Sequence, residues 1–196
     1  MDKYDASNDH YCYPNSFVLK NKLNIDDLSV LEEAEREITS ITINSVKYNN
    51  PPYNLNYIKQ LHKILFSPIY AWAGEIRNVD ISKGGTRFCN CSRIEPEANK
   101  LFLILGERNW LASLNKDDFC KMLAEFYCEF NMIHPFREGN GRVQRVFFEH
   151  LSLSAGYELD WEDVSQNEWI QANIDGVDVK YESMSRIFKR IVKIAH

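Results

Sequence analysis

The sequence predicts a mainly α-helical domain with one small β-hairpin. Three observations support this prediction: apolar residues recur at spacings of three and four along most of the chain, one segment alternates as strands do, and turn residues separate the segments. The chain has 196 residues, of which 44% are hydrophobic and 26% charged, as is ordinary for one globular domain. We expect an extended N-terminal arm over residues 1–24 and a single domain over residues 25–196.

The composition argues against several classes of protein. A net charge of -5 opposes direct binding of nucleic acid through its phosphate backbone, and positive charge is instead local, at Arg137, Arg142 and Arg145. No apolar run reaches the roughly 20 residues of a membrane-spanning helix, and the polar first residues lack an apolar signal segment. We therefore expect a cytoplasmic protein without membrane contact.

The five cysteines indicate neither a disulfide framework nor a metal site. Cys120 and Cys128 fall on an apolar helical stretch, where a reduced cysteine behaves as a small hydrophobic residue. Cys89 and Cys91 could form half of a metal site, but no second pair follows at a suitable spacing. We expect all of them to be structural.

The first helices are predicted from their caps and their apolar spacing. Acidic residues at Asp26 and Asp27 favour a helix start before an apolar face that extends to Ile41. Asn54 can cap a second helix, which Ser67-Pro68 ends, and Pro96 fits the first turn of a third helix that stops near Gly106.

The hairpin is predicted between residues 77 and 93. Val79 and Ile81 alternate with polar residues, Gly84-Gly85 makes a turn, and residues 86–88 can return antiparallel. Because an isolated two-stranded hairpin is only marginally stable, we expect this one to lie against the helices.

The strongest helical signal begins at Asp117. Apolar residues follow at offsets of 0, 3, 4, 7, 8 and 11 from Phe119, which predicts a central core helix whose C-terminal end delivers His134. The next helix should begin near Gly139 to Gly141 and finish at Gly156. Ser165 and Glu168 have the spacing of a capping box, and a last helix is expected over an apolar series from Val179 to Ile191.

Chemically versatile residues are concentrated between the two central helices. Residues 134–145 read His-Pro-Phe-Arg-Glu-Gly-Asn-Gly-Arg-Val-Gln-Arg. Gly139-Asn140-Gly141 can wrap backbone N–H groups around a phosphate, because neither glycine has a side chain to block the approach. Arg142 and Arg145, three residues apart on the opening helix, share a face and can hold further phosphates. The stretch therefore predicts an anion site at a helix start.

The remaining residues of this stretch have roles that fit a phosphate site. Glu138 is the obvious ligand for Mg²⁺, which proteins commonly hold with one carboxylate and substrate phosphates. His134 can accept a proton from an attacking hydroxyl, and Phe136 would anchor the loop in the core. Each residue alone has an ordinary structural interpretation, and their conjunction favours function. His62 and His150 lack such neighbours, and we interpret both as structural.

The stretch resembles the motif of the Fic family, His-x-Phe-x-(Asp or Glu)-Gly-Asn-Gly-Arg-x-x-Arg, at every specified position. The similarity extends to Tyr11-Cys-Tyr-Pro14, to Trp72-Ala-Gly74 and to the hairpin, as in small stand-alone bacterial Fic proteins. It implies a helical bundle with a β-hairpin flap over the active site. It also implies transfer of AMP from ATP to a Tyr, Ser or Thr hydroxyl of a protein, with release of pyrophosphate.

The resemblance also assigns roles to residues. His134 would be the base, Glu138 would hold Mg²⁺, and Gly139, Asn140 and Gly141 would bind the phosphate chain. Arg142 would bind on the β-phosphate side, and Arg145 would bind the γ-phosphate. The flap would hold the target by strand-like pairing and comprises Asp80, Ile81, Ser82, Lys83, Gly84, Gly85, Thr86, Arg87 and Phe88. Lys83 and Thr86 could contact the target from the flap, but the sequence favours the interpretation that both are solvated turn residues.

Gly141 distinguishes two reactions within the resemblance. AMP-transferring members have glycine at this position, whereas the related Doc kinases have lysine and transfer the γ-phosphate, so Gly141 favours AMP transfer. Two alternatives stay open. The first is a Fic enzyme that moves another phosphate-containing group or removes AMP, and the second is a helical interaction module that binds nucleotide without catalysis.

Regulation is a further implication of the resemblance. Many Fic proteins are restrained by a helix with the motif (Ser or Thr)-x-x-x-Glu-(Gly or Asn), and Ser29 to Glu33 has part of this spacing but is followed by Ala34. We therefore expect a toxin whose inhibitor is a separate small helical antitoxin with a Glu that docks at Arg145. Similar toxin members suggest the ATP-binding subunits of DNA gyrase and topoisomerase IV as targets.

Overall fold

The computed structural model describes residues 9–195, and these residues form a helical bundle with two short antiparallel strand pairs. The mainly α fold class is thereby confirmed. The elements in chain order are α1 (Leu28–Thr42), α2 (Leu55–Phe66), β1 (Ser82–Lys83), β2 (Thr86–Arg87), α3 (Ile94–Glu107), α4 (Lys116–Ile133), α5 (Asn140–Ser154), β3 (Tyr157–Leu159), α6 (Gln166–Val177), α7 (Glu182–Ile191) and β4 (Val192–Ile194).

Side-chain caps fix the starts of four helices. Asp27, Asn54, Asn115 and Ser165 each accept a hydrogen bond from a backbone N–H in the first turn of the helix that follows. The caps at Asn54 and Ser165 and the helix start beside Asp26 are as predicted. Each such cap contributes about 1 kcal/mol to the stability of its helix.

Helix α4 is the centre of the bundle. It packs against α3, α5, α6 and α7, and nine of its side chains are buried. Among them are Cys120 and Cys128, which contribute to the core as predicted. The core holds α4 rigidly up to its last residue, and the loop that follows is therefore fixed at both ends by packed helices.

The segment from residue 9 to the start of α1 contains no helix and lies against the bundle. Tyr11, Cys12, Val18 and Leu19 are buried in the main core, and Cys12 forms an isolated bridge with Leu19. The first eight residues of the predicted arm lie outside the described residues.

Three details differ from the predictions. Val179 lies in the turn between α6 and α7 with φ of 62° and 68% exposure, because α6 ends in a turn and α7 begins only at Glu182. The hairpin ladder is two residues long on each side, with Ser82 opposite Arg87. The pairing of β3 with β4 was not predicted, because a three-residue strand has too little alternation to be recognised.

Within residues 9–195, no helix combines the length and the apolar character needed to cross a bilayer.

Candidate active site

The candidate site is built on residues 134–141, which connect α4 to α5 and which we call the anion loop. Its turns depend on two left-handed residues: His134, which ends α4 with φ of 45°, and Gly139, which precedes α5 with φ of 80°. Helix geometry leaves the N–H groups of Asn140, Gly141 and Arg142 without an acceptor inside α5. The loop therefore presents a set of backbone donors at a positive helix end.

His134 is 7% exposed and has a defined ring orientation. Its Nδ1 lies 2.7 Å from the carbonyl oxygen of Asn131, so the proton of the neutral ring is on Nδ1 and Nε2 carries the lone pair. The ring stacks on Phe88 of the hairpin, with centroids 3.8 Å apart and an interplanar angle of 15°. The position and the tautomer suit a base that accepts a proton at Nε2.

The side chain of Asn140 closes the anion loop. Its Oδ1 accepts from the backbone N–H of Phe136 at 2.8 Å, and its Nδ2 donates to the Phe136 carbonyl at 2.7 Å. Asn140 is 3% exposed, and Phe136 is fully buried. The amide thus holds the loop shape, which leaves the backbone N–H of Asn140 for the predicted contact with phosphate.

His62 on α2 packs against the anion loop and bonds to its backbone. Its Nδ1 accepts from the Gly74 N–H at 2.8 Å, so Nε2 carries the proton and donates to the Glu138 carbonyl at 3.1 Å. The ring stacks on Phe136 at 3.9 Å and on Phe66 at 4.7 Å. Burial lowers the pKa of His62 to about 3, which keeps the ring neutral. His62 has a structural role, as predicted, and that role is to hold the anion loop in place.

Glu138 and Arg142 form a buried charge cluster at the start of α5. Glu138 is 5% exposed, and its Oε1 accepts from the Gly139 N–H at 2.8 Å and lies 3.4 Å from Nη2 of Arg142. Arg142 also pairs with Glu35, and its guanidinium lies 4.6 Å from the ring centroid of Phe66. Arg142 therefore lies between two carboxylates at the start of α5.

Glu35 on α1 was not among the predicted site residues. It is 7% exposed, and the Tyr70 hydroxyl donates to it. Burial and the neighbouring charge of Glu138 raise the pKa of Glu35, while Arg142 opposes the shift. The sequence contained a signal for it, because Glu35 lies four residues after Leu31 and four before Thr39, on the buried face of α1.

An open pocket of about 420 Å³ extends from the anion loop toward α6. Its lining comprises Tyr127, Glu138, Gly139, Gly141, Arg142, Arg145, Trp161, Val164, Gln166 and Trp169. The guanidinium of Arg145 lies 4.3 Å from the ring centroid of Trp161. Glu149 accepts from Nε1 of Trp161 at 2.7 Å and lies 3.5 Å from Nε of Arg145. The two tryptophans were not predicted, because they follow the motif by more than fifteen residues.

The predicted flap divides into a buried base and an exposed tip. Ile81 and Phe88 are buried and form a small cluster with Val79, whereas Lys83, Gly84, Gly85 and Arg87 are exposed, and Ser82 and Thr86 are half-buried. Asp80 closes the base by accepting from the Cys91 N–H at 2.8 Å, from Asn90 at 2.8 Å and from Arg87 at 3.2 Å.

The fold and the site define a mainly helical domain with an anion loop at a helix start and a buried histidine at one end of that loop. The profile of the Fic/DOC family matches residues 52–152. The chain is 38% identical over 194 residues to the Probable protein adenylyltransferase Fic of Escherichia coli (strain K12). The matched region covers 99% of this chain and 97% of that protein. The chain belongs to the Fic/DOC family.

Solved structures agree with this assignment. The BepC protein from Bartonella tribocorum with bound AMPPNP has a TM-score of 0.86 at 25% identity, covering 95% of this chain and 97% of that chain. The N-terminal Fic domain of a Bep effector protein from Bartonella quintana with bound ADP has a TM-score of 0.87 at 29% identity, covering 94% and 95%. The expected Fic-type bundle is confirmed.

Proposed function

We propose that this chain is a protein adenylyltransferase, which transfers AMP from ATP to a Tyr, Ser or Thr hydroxyl of a target protein. One observation carries the proposal: the anion loop joins a histidine with its lone pair on Nε2 to a helix start rich in backbone donors. The E. coli relative is named a probable protein adenylyltransferase, and two structural neighbours contain AMPPNP or ADP. AMPPNP is an analogue of ATP, the nucleotide that the proposed reaction consumes.

In the proposed reaction, the target hydroxyl attacks the α-phosphorus of ATP. A bond forms between the hydroxyl oxygen and the α-phosphorus, the bond from the α-phosphorus to the bridging oxygen breaks, and pyrophosphate leaves. The hydroxyl proton passes to Nε2 of His134. The N–H groups at the start of α5, together with Arg142 and Arg145, hold the phosphates and stabilise their charge. Positioning and charge stabilisation therefore supply most of the rate enhancement.

Glu138 fits the predicted role of a Mg²⁺ ligand. It is a buried carboxylate beside the backbone donors of the anion loop, and one carboxylate with substrate phosphates is a ligand set that Mg²⁺ accepts. In residues 9–195 no group of three or more His, Cys, Asp or Glu side chains has a metal-binding arrangement, so the phosphates would complete the set. A bound Mg²⁺ would neutralise phosphate charge.

Gly141 supports AMP transfer over transfer of the γ-phosphate. A Cβ atom at this position would meet no atom within 4 Å apart from its chain neighbours and the backbone of its own helix, so this side of the backbone is open to a phosphate group. The label-transfer assay separates the reactions. Adding purified chain and Mg²⁺ to a bacterial lysate with ATP labelled at the α- or the γ-phosphorus should increase protein-bound label from the α position alone, relative to the lysate without the chain. An increase in label from the γ position would contradict the proposal.

The variant His134→Ala tests whether His134 is the base and distinguishes an enzyme from a module that binds nucleotide without catalysis. It should abolish transfer while AMPPNP binding, measured by calorimetry, is largely retained. His10→Ala is the matched control, because His10 is exposed and lies outside the site. Full transfer by His134→Ala would show that the base is another group.

Regulation by a separate protein is a further part of the proposal. We propose that the chain is a toxin restrained by a small helical antitoxin whose Glu docks at Arg145, with the ATP-binding subunits of DNA gyrase and topoisomerase IV as targets. The Arg145 side chain is 50% exposed and borders the pocket, which leaves it accessible to such a carboxylate. A candidate antitoxin should inhibit transfer by the wild type and lose its effect when its Glu is replaced by Gln. Unchanged inhibition by that antitoxin variant would contradict the docking.

A further inference from the structure

Arg77 lies outside the motif, between the hairpin and the anion loop, and its side chain is fully buried. Its Nε donates to the His134 carbonyl at 2.7 Å, and Nη2 donates to the Ile133 carbonyl at 3.3 Å. On the hairpin side, Nη1 donates to the Val79 carbonyl at 2.7 Å and Nη2 to the Cys89 carbonyl at 2.5 Å. One guanidinium thus joins both ends of the hairpin to the residue proposed as the base.

Two backbone hydrogen bonds reinforce this junction. The Arg77 N–H donates to the Pro135 carbonyl at 2.9 Å, and the Cys89 N–H donates to the Met132 carbonyl at 2.9 Å. The segments that enter and leave the hairpin are therefore both bonded to the segment that ends α4 and begins the anion loop.

The junction also determines the environment of the imidazole. Phe88, next to Cys89, stacks on the His134 ring, and the His134 backbone has the left-handed φ of 45°. A non-glycine residue in this conformation costs about 1–2 kcal/mol, so the surrounding contacts have to compensate. The Arg77 bond to the His134 carbonyl is one such contact.

We propose that Arg77 is a positioning residue for the transfer reaction, because its hydrogen bonds fix the hairpin in one position relative to the His134 ring. A target segment on the hairpin then presents its hydroxyl at a fixed place relative to Nε2. This inference rests on the proposed function. Arginine suits the position because its planar fork has five donors for four carbonyl oxygens, whereas lysine has three donors at one point.

Surface charge does not explain the burial of Arg77. The carboxylate of Asp80 is 4.0 Å from Nη1 and 34% exposed, and such partly solvated pairs contribute little. The four carbonyl oxygens, in contrast, are within hydrogen-bonding distance of a fully buried group. Loss of the Arg77 guanidinium would leave these backbone carbonyls of the anion loop and the hairpin without this donor.

The first experiment separates positioning from nucleotide binding. Arg77→Lys keeps the charge but cannot reach all four carbonyls, and we expect a roughly 10- to 100-fold lower kcat for AMP transfer to lysate proteins, since a displacement of 1 Å costs about 100-fold. The Kd of AMPPNP should stay within about threefold of wild type, because His62 and Asn140 hold the phosphate-binding part of the loop. The control is Arg93→Lys, an arginine at the end of the hairpin that is 64% exposed.

The outcome is decisive in both directions. Unchanged kcat would overturn the proposal, and so would parallel losses of kcat and AMPPNP affinity, which indicate general disruption. Arg77→Gln, which is smaller and uncharged, replaces the lysine variant if lysine cannot be buried there.

A second readout is independent of transfer. In histidine NMR spectra, Arg77→Lys should move the His134 ring resonances and leave those of His62 unchanged. Unmoved His134 resonances would refute the positioning role, even if the chain transfers nothing and the proposed function fails.

A third measurement needs no variant. In hydrogen exchange of the wild type, the Arg77 and Cys89 amides should open with the same free energy as the Phe136 amide in the anion loop. Faster exchange at Arg77 and Cys89 would mean that the hairpin opens on its own, and would overturn the proposal.

Discussion

Gly139→Ala tests whether the anion loop is fixed by its packing on α2. A Cβ atom at this position would lie 2.3 Å from Cζ and 2.4 Å from Cε2 of Phe66. Phe66 cannot give way, because it is fully buried, stacks on His62 and lies beneath the Arg142 guanidinium. The backbone φ of 80° is a second obstacle to alanine.

The two obstacles give the size of the effect. A left-handed alanine costs about 1–2 kcal/mol, and overpacking of a filled core costs about 1–3 kcal/mol. We therefore expect Gly139→Ala to lose about 2–5 kcal/mol of unfolding free energy, measured by urea denaturation. Equal denaturation midpoints for Gly139→Ala and wild type would refute the reasoning.

Gly141→Ala is the matched control, because it adds the same methyl group two residues away. There the added Cβ meets nothing within 4 Å in the described chain, and alanine favours a helix over glycine by up to about 1 kcal/mol. Stability should be unchanged or slightly higher, whereas AMPPNP affinity should fall roughly 10- to 100-fold through the loss of charge-assisted bonds worth about 1.5–3 kcal/mol. Wild-type affinity would show that phosphate does not approach this backbone.

Three further predictions concern residues around the site. Asn140→Ala should cost about 2–6 kcal/mol in urea denaturation, because it leaves the buried N–H and carbonyl of Phe136 unpaired at about 1–3 kcal/mol each. For His62, the folded pKa of about 3 lies below the unfolded value, so the unfolded chain binds more protons between these pH values. Wild type in EDTA should therefore lose up to about 1.4 kcal/mol per pH unit below pH 6.5, and His62→Gln should lack this slope; equal slopes would contradict the assignment. Trp161→Leu removes the cation–π contact with Arg145 and should weaken ATP binding roughly two- to fivefold, with a smaller effect on ADP in calorimetry.

The sequence predicts the helices and the anion loop because their signals are local. Helix α4 has an apolar repeat over three turns, and its boundary is set by neighbouring residues. The residues from His134 to Arg145 are contiguous, so the turn between two packed helices brings them together whatever the rest of the chain does. The caps at Asn54 and Ser165 depend on residues only three positions away.

The supporting residues have no such local signal. Arg77 and His62 come from segments 57 and 76 residues before the loop residues they bond, and only tertiary packing brings them there. Trp161 reaches the pocket through the turn that follows β3. Glu35 is the exception, since a carboxylate on the apolar face of α1 already indicates a buried partner, although not that the partner is Arg142.

In the proposed site, the backbone of the anion loop is available for phosphate because the side chains of Asn140 and Phe136 hold the loop in shape. Asn140 holds Phe136, Glu138 accepts from Gly139, and the ring of Phe136 is stacked in the core. The N–H groups at the start of α5 are thereby fixed before any anion arrives, and binding need not reorganise them. The contacts of Asn140, Glu138 and Phe136 also pack the loop on the core, so stability and the proposed phosphate binding depend on the same three residues. A substitution that loosens one of these three contacts should weaken both, whereas one on the open side, such as Gly141→Ala, should affect binding alone.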